Sequence, residues 1–500
     1  MALSYFLVAG GIFIAKFIGL FRDIIFASVF GTSAVSDIYF QIFGIVTLIF
    51  TGIGVALQTM LIKNLNKEGI NTKENQEIYT RKFISRVSVI ILSVIAVLYI
   101  FARPFTKMLL PGITDEYFEI TVKITYLMLP SLWGAVVAYI VSGALQNRQI
   151  FFVSSIISLP YNAVVLVALF LNITDIYVIS TITTIGWILQ VIIQMPWFYK
   201  NGYKMFIPKK NESLLIAKGT ANQEILWIFI SNMMFQLCFL IDKTFVSGET
   251  GMIASINYAS NLFIQISGVF VVAMSTVVFP SISKDYEKGD IPAVRAHLRY
   301  IITVMCAIFF AMLLTASCFS EQVIRLIYER GEFTAKSTQT TALIFAIYCF
   351  GVFGYVAQEQ FNKILYLGNK YKYTVLGTVA VILAKFLTDI STDNVVLIAS
   401  STSLLLTVYA LYIAFAIKKV VGNYLNKEIL MNIIKVLCAG LCAVVVFVLF
   451  RQFAPVMLNG KITFFIPLLS CGVVYVGVLY FTGIINVILH KEKKENEKAW

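Results

Sequence analysis

Apolar positions fill long unbroken stretches of the chain, and polar positions gather in the short gaps between them. The runs lie near 3–27, 35–61, 83–102, 117–145, 150–172, 175–199, 222–247, 252–282, 297–319, 339–367, 373–390, 394–417, 430–450 and 463–489. Most are about 20 residues or longer, the length an α-helix needs to cross a hydrocarbon core of about 30 Å. They are continuous and lack the period-two alternation of outer-membrane strands, which excludes a barrel. The pattern predicts an all-α polytopic membrane protein of about 14 transmembrane helices. No gap is long enough for a separate soluble domain, so an enzyme with an extramembrane catalytic unit is not expected.

Composition sharpens this picture. Of 500 residues, 59% are hydrophobic and 13% charged, where a soluble domain carries about 25% charged residues. The net charge of +13 resides in short loops and the C-terminus, so it speaks for topology and not for a nucleic-acid partner. Gaps after even-numbered runs hold Lys63, Lys67, Lys73, Arg81, Lys82, Arg86, Arg148, Lys200, Lys204, Lys209, Lys210 and Lys218. They continue with Lys284, Lys288, Arg295, Arg299, Lys370, Lys372, Lys418, Lys419, Lys427 and a tail from Lys491 to Lys498. The opposite gaps hold only Arg103, Lys107, Arg325, Arg330, Lys336, Arg451 and Lys461. By the positive-inside rule the even loops and both termini are cytoplasmic. The first run carries Lys16 and Arg22 and no small-residue cleavage site, so it is expected to be a retained helix and not a signal peptide. Seven cysteines without a CxxC pair, and His297 and His490 as the sole histidines, offer no zinc or disulfide framework.

An internal repeat is visible at a shift of 219 residues. Asp23, Phe26, Ser28, Ser36 and Tyr39 recur as Asp242, Phe245, Ser247, Ser255 and Tyr258. The shift covers six runs, an even number, so the copies share one orientation. Such a parallel repeat predicts two pseudo-symmetric six-helix lobes, 1–218 and 219–420, with two C-terminal helices and a cytoplasmic tail in 421–500.

Ionised groups inside the runs are the candidates for function, because each costs about 2.5–3.5 kcal/mol at a helix centre on insertion scales and normally faces protein or a wet cavity. Lys16, Arg22, Asp23 and Asp37 fall within one stretch, KFIGLFRDIIFASVFGTSAVSDIY. Lys16 and Asp23 share a helical stripe, with Arg22 about 100° round from Asp23. Cationic donors facing a wet cavity suit a phosphate-bearing cargo. The competing account is a buried pair of Arg22 with Asp23 or Asp37. Glu119 with Lys123, Glu359 with Lys363, and Lys385 with Asp389 stand at i,i+4 and predict helical salt bridges. Asp242 sits beside Lys243, near Asn232 and Gln236, at the repeat position of Asp23.

The second copy, QLCFLIDKTFVSGETGMIASINYASNLFIQISGVFVVAMSTVVFP, resembles the MurJ/MviN flippases of the MOP superfamily. Gln236, Asp242, Tyr258, Ala259, Leu262, Gly268, Val269, Ala273, Thr276 and Pro280 fit that family's seventh and eighth helices. Lys16, Gly19, Arg22 and Asp23 fit its first-helix pattern, and Ser36, Asp37, Tyr39 and Phe40 the following one. IRLIYERGEFTAKST, 324–338, is similar to its outer loop. Four positions depart from the pattern: Thr47 and Leu48 stand where the family has a basic pair, Asn261 replaces an arginine, and Lys16 replaces another. The resemblance implies a MATE-like V-shaped fold that moves a polyprenyl-pyrophosphate-linked saccharide, usually lipid II, from the inner to the outer leaflet of the bacterial plasma membrane. It also implies that the last two helices shape a groove for the polyprenyl tail. The expected substrate set is Lys16, Arg22, Asp23, Asp37, Asn257 and Asn261. The expected coupling or gating set is Asn232, Gln236, Asp242, Lys243, Glu359, Lys363 and Asp389. No cofactor or firm metal site is expected; sodium, with Asp242 and Asp389 as weak ligand candidates, or a proton would be the coupling ion. Lipid and cargo are the expected partners of a monomer. An exporter of a capsule or wall-polymer precursor, and a cation-coupled drug antiporter on the same fold, are the alternatives.

Overall fold

The computed structural model describes residues 2–67, 70, 72–205, 223–460 and 463–488. Among them the regular structure is helical throughout. The principal helices are α1 (Ala2–Phe30), α2 (Ala34–Leu65), α3 (Lys73–Ile100), α4 (Asp115–Asn147), α5 (Leu159–Phe170), α6 (Ile176–Lys200) and α7 (Gln223–Phe245). They continue as α8 (Met252–Val277), α9 (Ile291–Tyr328), α10 (Ala335–Cys349 and Val352–Leu367), α11 (Tyr371–Asp389), α12 (Val395–Val421), α13 (Lys427–Phe453) and α14 (Phe465–Phe481). Among the described residues eight helices are long and apolar enough to cross a membrane, or nine when the two arms of α10, bent by 53°, form one span. The apolar α5 and α14 are shorter, at 12 and 17 residues. The polytopic helical class is therefore established, and fourteen remains an expectation for the number of crossings. Lys209, Lys210, Lys218, Lys461, His490 and the basic tail lie outside the described residues.

Local chemistry explains where helices start. Thr72, Asp175, Asp290 and Asn426 each accept a backbone N–H from the first turn of α3, α6, α9 and α13, satisfying donors that a helix cannot pair internally. Two stretches widen into π-helix, Phe50–Gly54 within α2 and Ala357–Phe361 within α10. Such bulges shift the register of every side chain beyond them.

The chain forms two compact units. The first comprises Met1–Tyr258 with Arg330–Thr334 and Lys385–Ile398; the second comprises Ala259–Glu329, Ala335–Ala384 and Ala399–Trp500. The first unit has an apolar core of Leu61, Leu65, Ile84, Val136, Val137, Ile140, Val141, Val191 and Phe198. In it α4 and α6 approach so closely that a Cβ at Gly134 would strike the Trp187 backbone. In the second unit α9, α13 and α14 pack through Phe319, Val436, Ala439, Ala443, Cys471 and Tyr475. Beside them Leu314, Cys318, Leu468 and Tyr480 help to line an apolar cavity of about 710 Å³.

One predicted salt bridge is corrected. Glu119 pairs with Arg103 at 2.8 Å, not with Lys123, whose ammonium lies 5.8 Å from the Tyr177 ring centroid. Arg103 comes from the short helix Ala102–Leu109 packed against the start of α4. Both partners are about 60% exposed, where a pair contributes about 0–1 kcal/mol.

Candidate functional site: a buried ion-pair network

The first unit gathers most of the ionised residues singled out from the sequence. Arg22 and Asp23, in the second half of α1, are both buried. The Arg22 guanidinium donates Nε to Asp23 Oδ1 at 3.1 Å and adds a short bond from Nη2 to the same oxygen. Its carbon lies 5.1 Å from the Phe43 ring centroid and 5.4 Å from that of Tyr161, a cation held against two π faces. Tyr161 in turn stacks on Trp187 at 4.6 Å. Arg22 Nη1 is buried and meets no hydrogen-bond partner among the described residues. The guanidinium is thus half committed to Asp23, with a fixed orientation and a spare donor. Lys16, two turns earlier, is half-buried.

Asp37 has a different task. Its Oδ2 accepts the Gly251 N–H at 2.5 Å and its Oδ1 the Ala254 N–H at 2.7 Å. A carboxylate on α2 therefore caps the N-terminus of α8, where unpaired amides and the helix dipole favour negative charge. Four turns meet around this cap. Glu332 N–H donates to Ser28 O at 2.9 Å, Tyr258 Oη to Gly31 O at 3.2 Å, and Gly112 N–H to Ser247 Oγ at 3.0 Å. Gly331 and Gly251 adopt φ of +55° and +88°, and a Cβ on either would press into the α1–α2 turn, against Ser28 or Thr32. Glycine is required at both. Arg22 makes its ion pair with Asp23, not Asp37. Replacing Asp37 with Ala is expected to lower unfolding stability by about 1–2 kcal/mol, with Asn intermediate because it keeps one acceptor; thermal unfolding in detergent measures both.

Asp242 and Lys243 end α7. The Lys243 side chain is buried, donates to Asn257 Oδ1 at 2.7 Å, and lies within electrostatic reach of both Asp23 and Asp242. Asp242 itself pairs with Lys385, whose ammonium also contacts Asp389 Oδ1 at 2.8 Å, Asp389 Oδ2 at 2.6 Å and the Ile398 carbonyl at 2.8 Å. The expected Lys385–Asp389 pair is present, and it gains a third member from α7. The space between the two carboxylates raised as sodium candidates is filled by that ammonium. Among the described residues no group of three His, Cys, Asp or Glu side chains is arranged to hold a metal.

The rest of the expected set is dispersed. Asn232 and Gln236 are half-buried on α7. Asn261, Glu359 and Lys363 belong to the second unit. There Glu359 lies in the π-helical stretch, and the Lys363 ammonium is 5.7 Å from the Phe279 ring centroid. Sequence reasoning missed Phe43 and Tyr161 as walls for Arg22, and it paired Lys385 with Asp389 without foreseeing the ion pair with Asp242. The one available signal was an intramembrane lysine one turn from an aspartate.

The chain is a multi-pass helical membrane protein with paired charges buried between its helices. A solved multidrug resistance MATE family transporter of the MOP superfamily, in an inward-facing conformation, superposes with a TM-score of 0.62 at 13% identity, over 81% of this chain and 95% of the other. A solved lipid II flippase MurJ, in an inward closed conformation, superposes with a TM-score of 0.77 at 21% identity, over 96% and 99%. Curated relatives include the lipid II flippase MurJ of Thermosipho africanus, 23% identical over 81% of this chain and 83% of the relative. The probable lipid II flippase MurJ of Buchnera aphidicola subsp. Schizaphis graminum is 23% identical over 94% and 95%. The family described as lipid II flippase MurJ matches residues 26–492, and the chain belongs to that family.

Proposed function

We propose that this protein carries lipid II, a polyprenyl-pyrophosphate-linked saccharide, from the cytoplasmic to the outer leaflet of the bacterial plasma membrane by alternating access. The observation that carries the reading is the family match along nearly the whole chain. The site supplies compatible chemistry. Pyrophosphate oxygens need fixed cationic donors, and Arg22 offers a desolvated, ring-held guanidinium with an uncommitted Nη1. Lys16, on the same helix, adds a second positive charge two turns away. No catalytic step is required, since the bonds of the cargo are unchanged. The basic loops support an orientation with both termini in the cytoplasm. In that orientation the turns joined by Asp37, Gly251 and Gly331 face outward and must part for release. The drug-antiporter and other-cargo readings are not favoured by the family match.

The test is depletion of the protein in its host followed by chemical identification of the lipid intermediate that builds up on the inner leaflet. Lipid II is expected to accumulate. Accumulation of a capsule or wall-polymer precursor, with lipid II unchanged, would overturn the assignment.

A further inference from the structure

Lys385 is enclosed by oxygen. Its ammonium is reached by Asp242 from α7, by both oxygens of Asp389 from its own helix, and by the Ile398 carbonyl in the first turn of α12. Asp242, Lys385 and Asp389 are at most 1% exposed. An ammonium has three N–H donors, and here they join three helices. Carboxylates with a backbone carbonyl are the donor set of a hard cation. The occupant specifies the valence. The group that fills the cage, the Lys385 ammonium, carries a single positive charge, so a monovalent ion is its counterpart.

We propose that Lys385 is a tethered cation. Its ammonium occupies, as a permanent part of the chain, a cage whose chemistry otherwise suits a small monovalent ion, sodium. Two consequences follow. The protein as it stands has no use for bath sodium at this place. Shortening the side chain to Asn removes the ammonium, leaves an amide oxygen as an added ligand, and converts the cage into a sodium site. Neither consequence depends on what cargo is carried, so the readout is stability and not transport.

The experiment compares thermal unfolding of the purified full chain in sodium chloride and in choline chloride at matched ionic strength. Wild type is expected to unfold at the same temperature in both salts. Lys385→Asn is expected to unfold several degrees lower in choline chloride, with the loss reversed saturably by sodium chloride, since a ligand that binds only the folded state stabilises it by mass action. Adding Asp389→Asn to that variant should abolish the sodium response. Saturable stabilisation of wild type by sodium, removed by Asp389→Asn, would overturn the proposal. So would a Lys385→Asn protein equally stable in both salts. Failure to recover folded Lys385→Asn from sodium-containing buffer would overturn it as well, because the bath ion should then stand in for the missing ammonium.

Discussion

Arg22→Lys is expected to abolish most lipid II translocation while leaving the protein folded. The lysine ammonium keeps a positive charge beside Asp23, so the buried carboxylate stays compensated. It cannot reproduce the planar fork or its contact with the Phe43 and Tyr161 faces. A hydrogen bond to a charged group contributes about 1.5–3 kcal/mol. Losing the bond proposed from Arg22 Nη1 to a phosphate oxygen would therefore cost about tenfold to a hundredfold in headgroup affinity. Arg22→Met goes further. It leaves Asp23 buried and unpaired, which costs about 3–5 kcal/mol of stability. The double variant Arg22→Met, Asp23→Leu separates the two effects, because it removes the pair as a neutral unit. Its unfolding temperature should recover while translocation of labelled lipid II into vesicles stays lost. Recovery of both would make Arg22 a purely structural partner of Asp23.

The sequence revealed those features that depend on spacing within one helix. The apolar runs predicted the helical class, and the i,i+4 interval predicted the Lys385–Asp389 contact. What it could not reveal is which residues meet across helices. Glu119 satisfied the same interval with Lys123, yet Arg103 takes it, because a neighbouring helix brings a guanidinium closer than the next turn does. Asp37 looked like an intramembrane anion awaiting a partner. Its partners are the amides of Gly251 and Ala254, backbone groups that no residue pattern marks. Glu359 and Lys363 stay within electrostatic reach of each other, but the π-helical winding of Ala357–Phe361 that carries Glu359 is a register no residue spacing marked. The repeat was more informative than any single motif. It aligned Asp23 with Asp242, and each proves to be a buried aspartate held by a basic side chain, Arg22 in one case and Lys385 in the other.

These groups form one electrostatic series within the first unit. Arg22 pairs with Asp23; Lys243 is within reach of Asp23 and Asp242; Lys385 joins Asp242 to Asp389. Taken in that order the charges alternate in sign and sum to zero. A neutral alternating series explains how so many ionised side chains are accommodated between apolar helices, since each desolvated charge is answered by a neighbour. It also makes the members interdependent. On the proposed reading, a cargo phosphate drawing on Arg22 would weaken the hold on Asp23 and shift the balance at Lys243, linking the headgroup contact to the junction of α7, α11 and α12.

That interdependence predicts a strongly non-additive response at Lys385. In sodium-free buffer, Lys385→Met leaves the Asp242 and Asp389 carboxylates buried with one ammonium fewer, and should lower unfolding stability by about 3–5 kcal/mol. Asp389→Leu alone should also destabilise, because the buried Lys385 ammonium then loses the carboxylate that meets it from its own helix. Combined, the two changes remove one positive and one negative charge and return the series to neutrality, with apolar side chains of similar volume in place. Most of the lost stability should be regained, since replacing a buried ion pair by packed hydrophobic residues is often neutral or stabilising. Thermal unfolding of wild type, both single variants and the double variant closes the cycle. Simple additivity of the two losses would show that Lys385 and Asp389 act independently and that the alternating series is not the unit of stability. Recovery of stability without recovery of translocation would show that the ions serve to switch the helices between arrangements, a task that an apolar replacement at the α7–α11–α12 junction cannot perform.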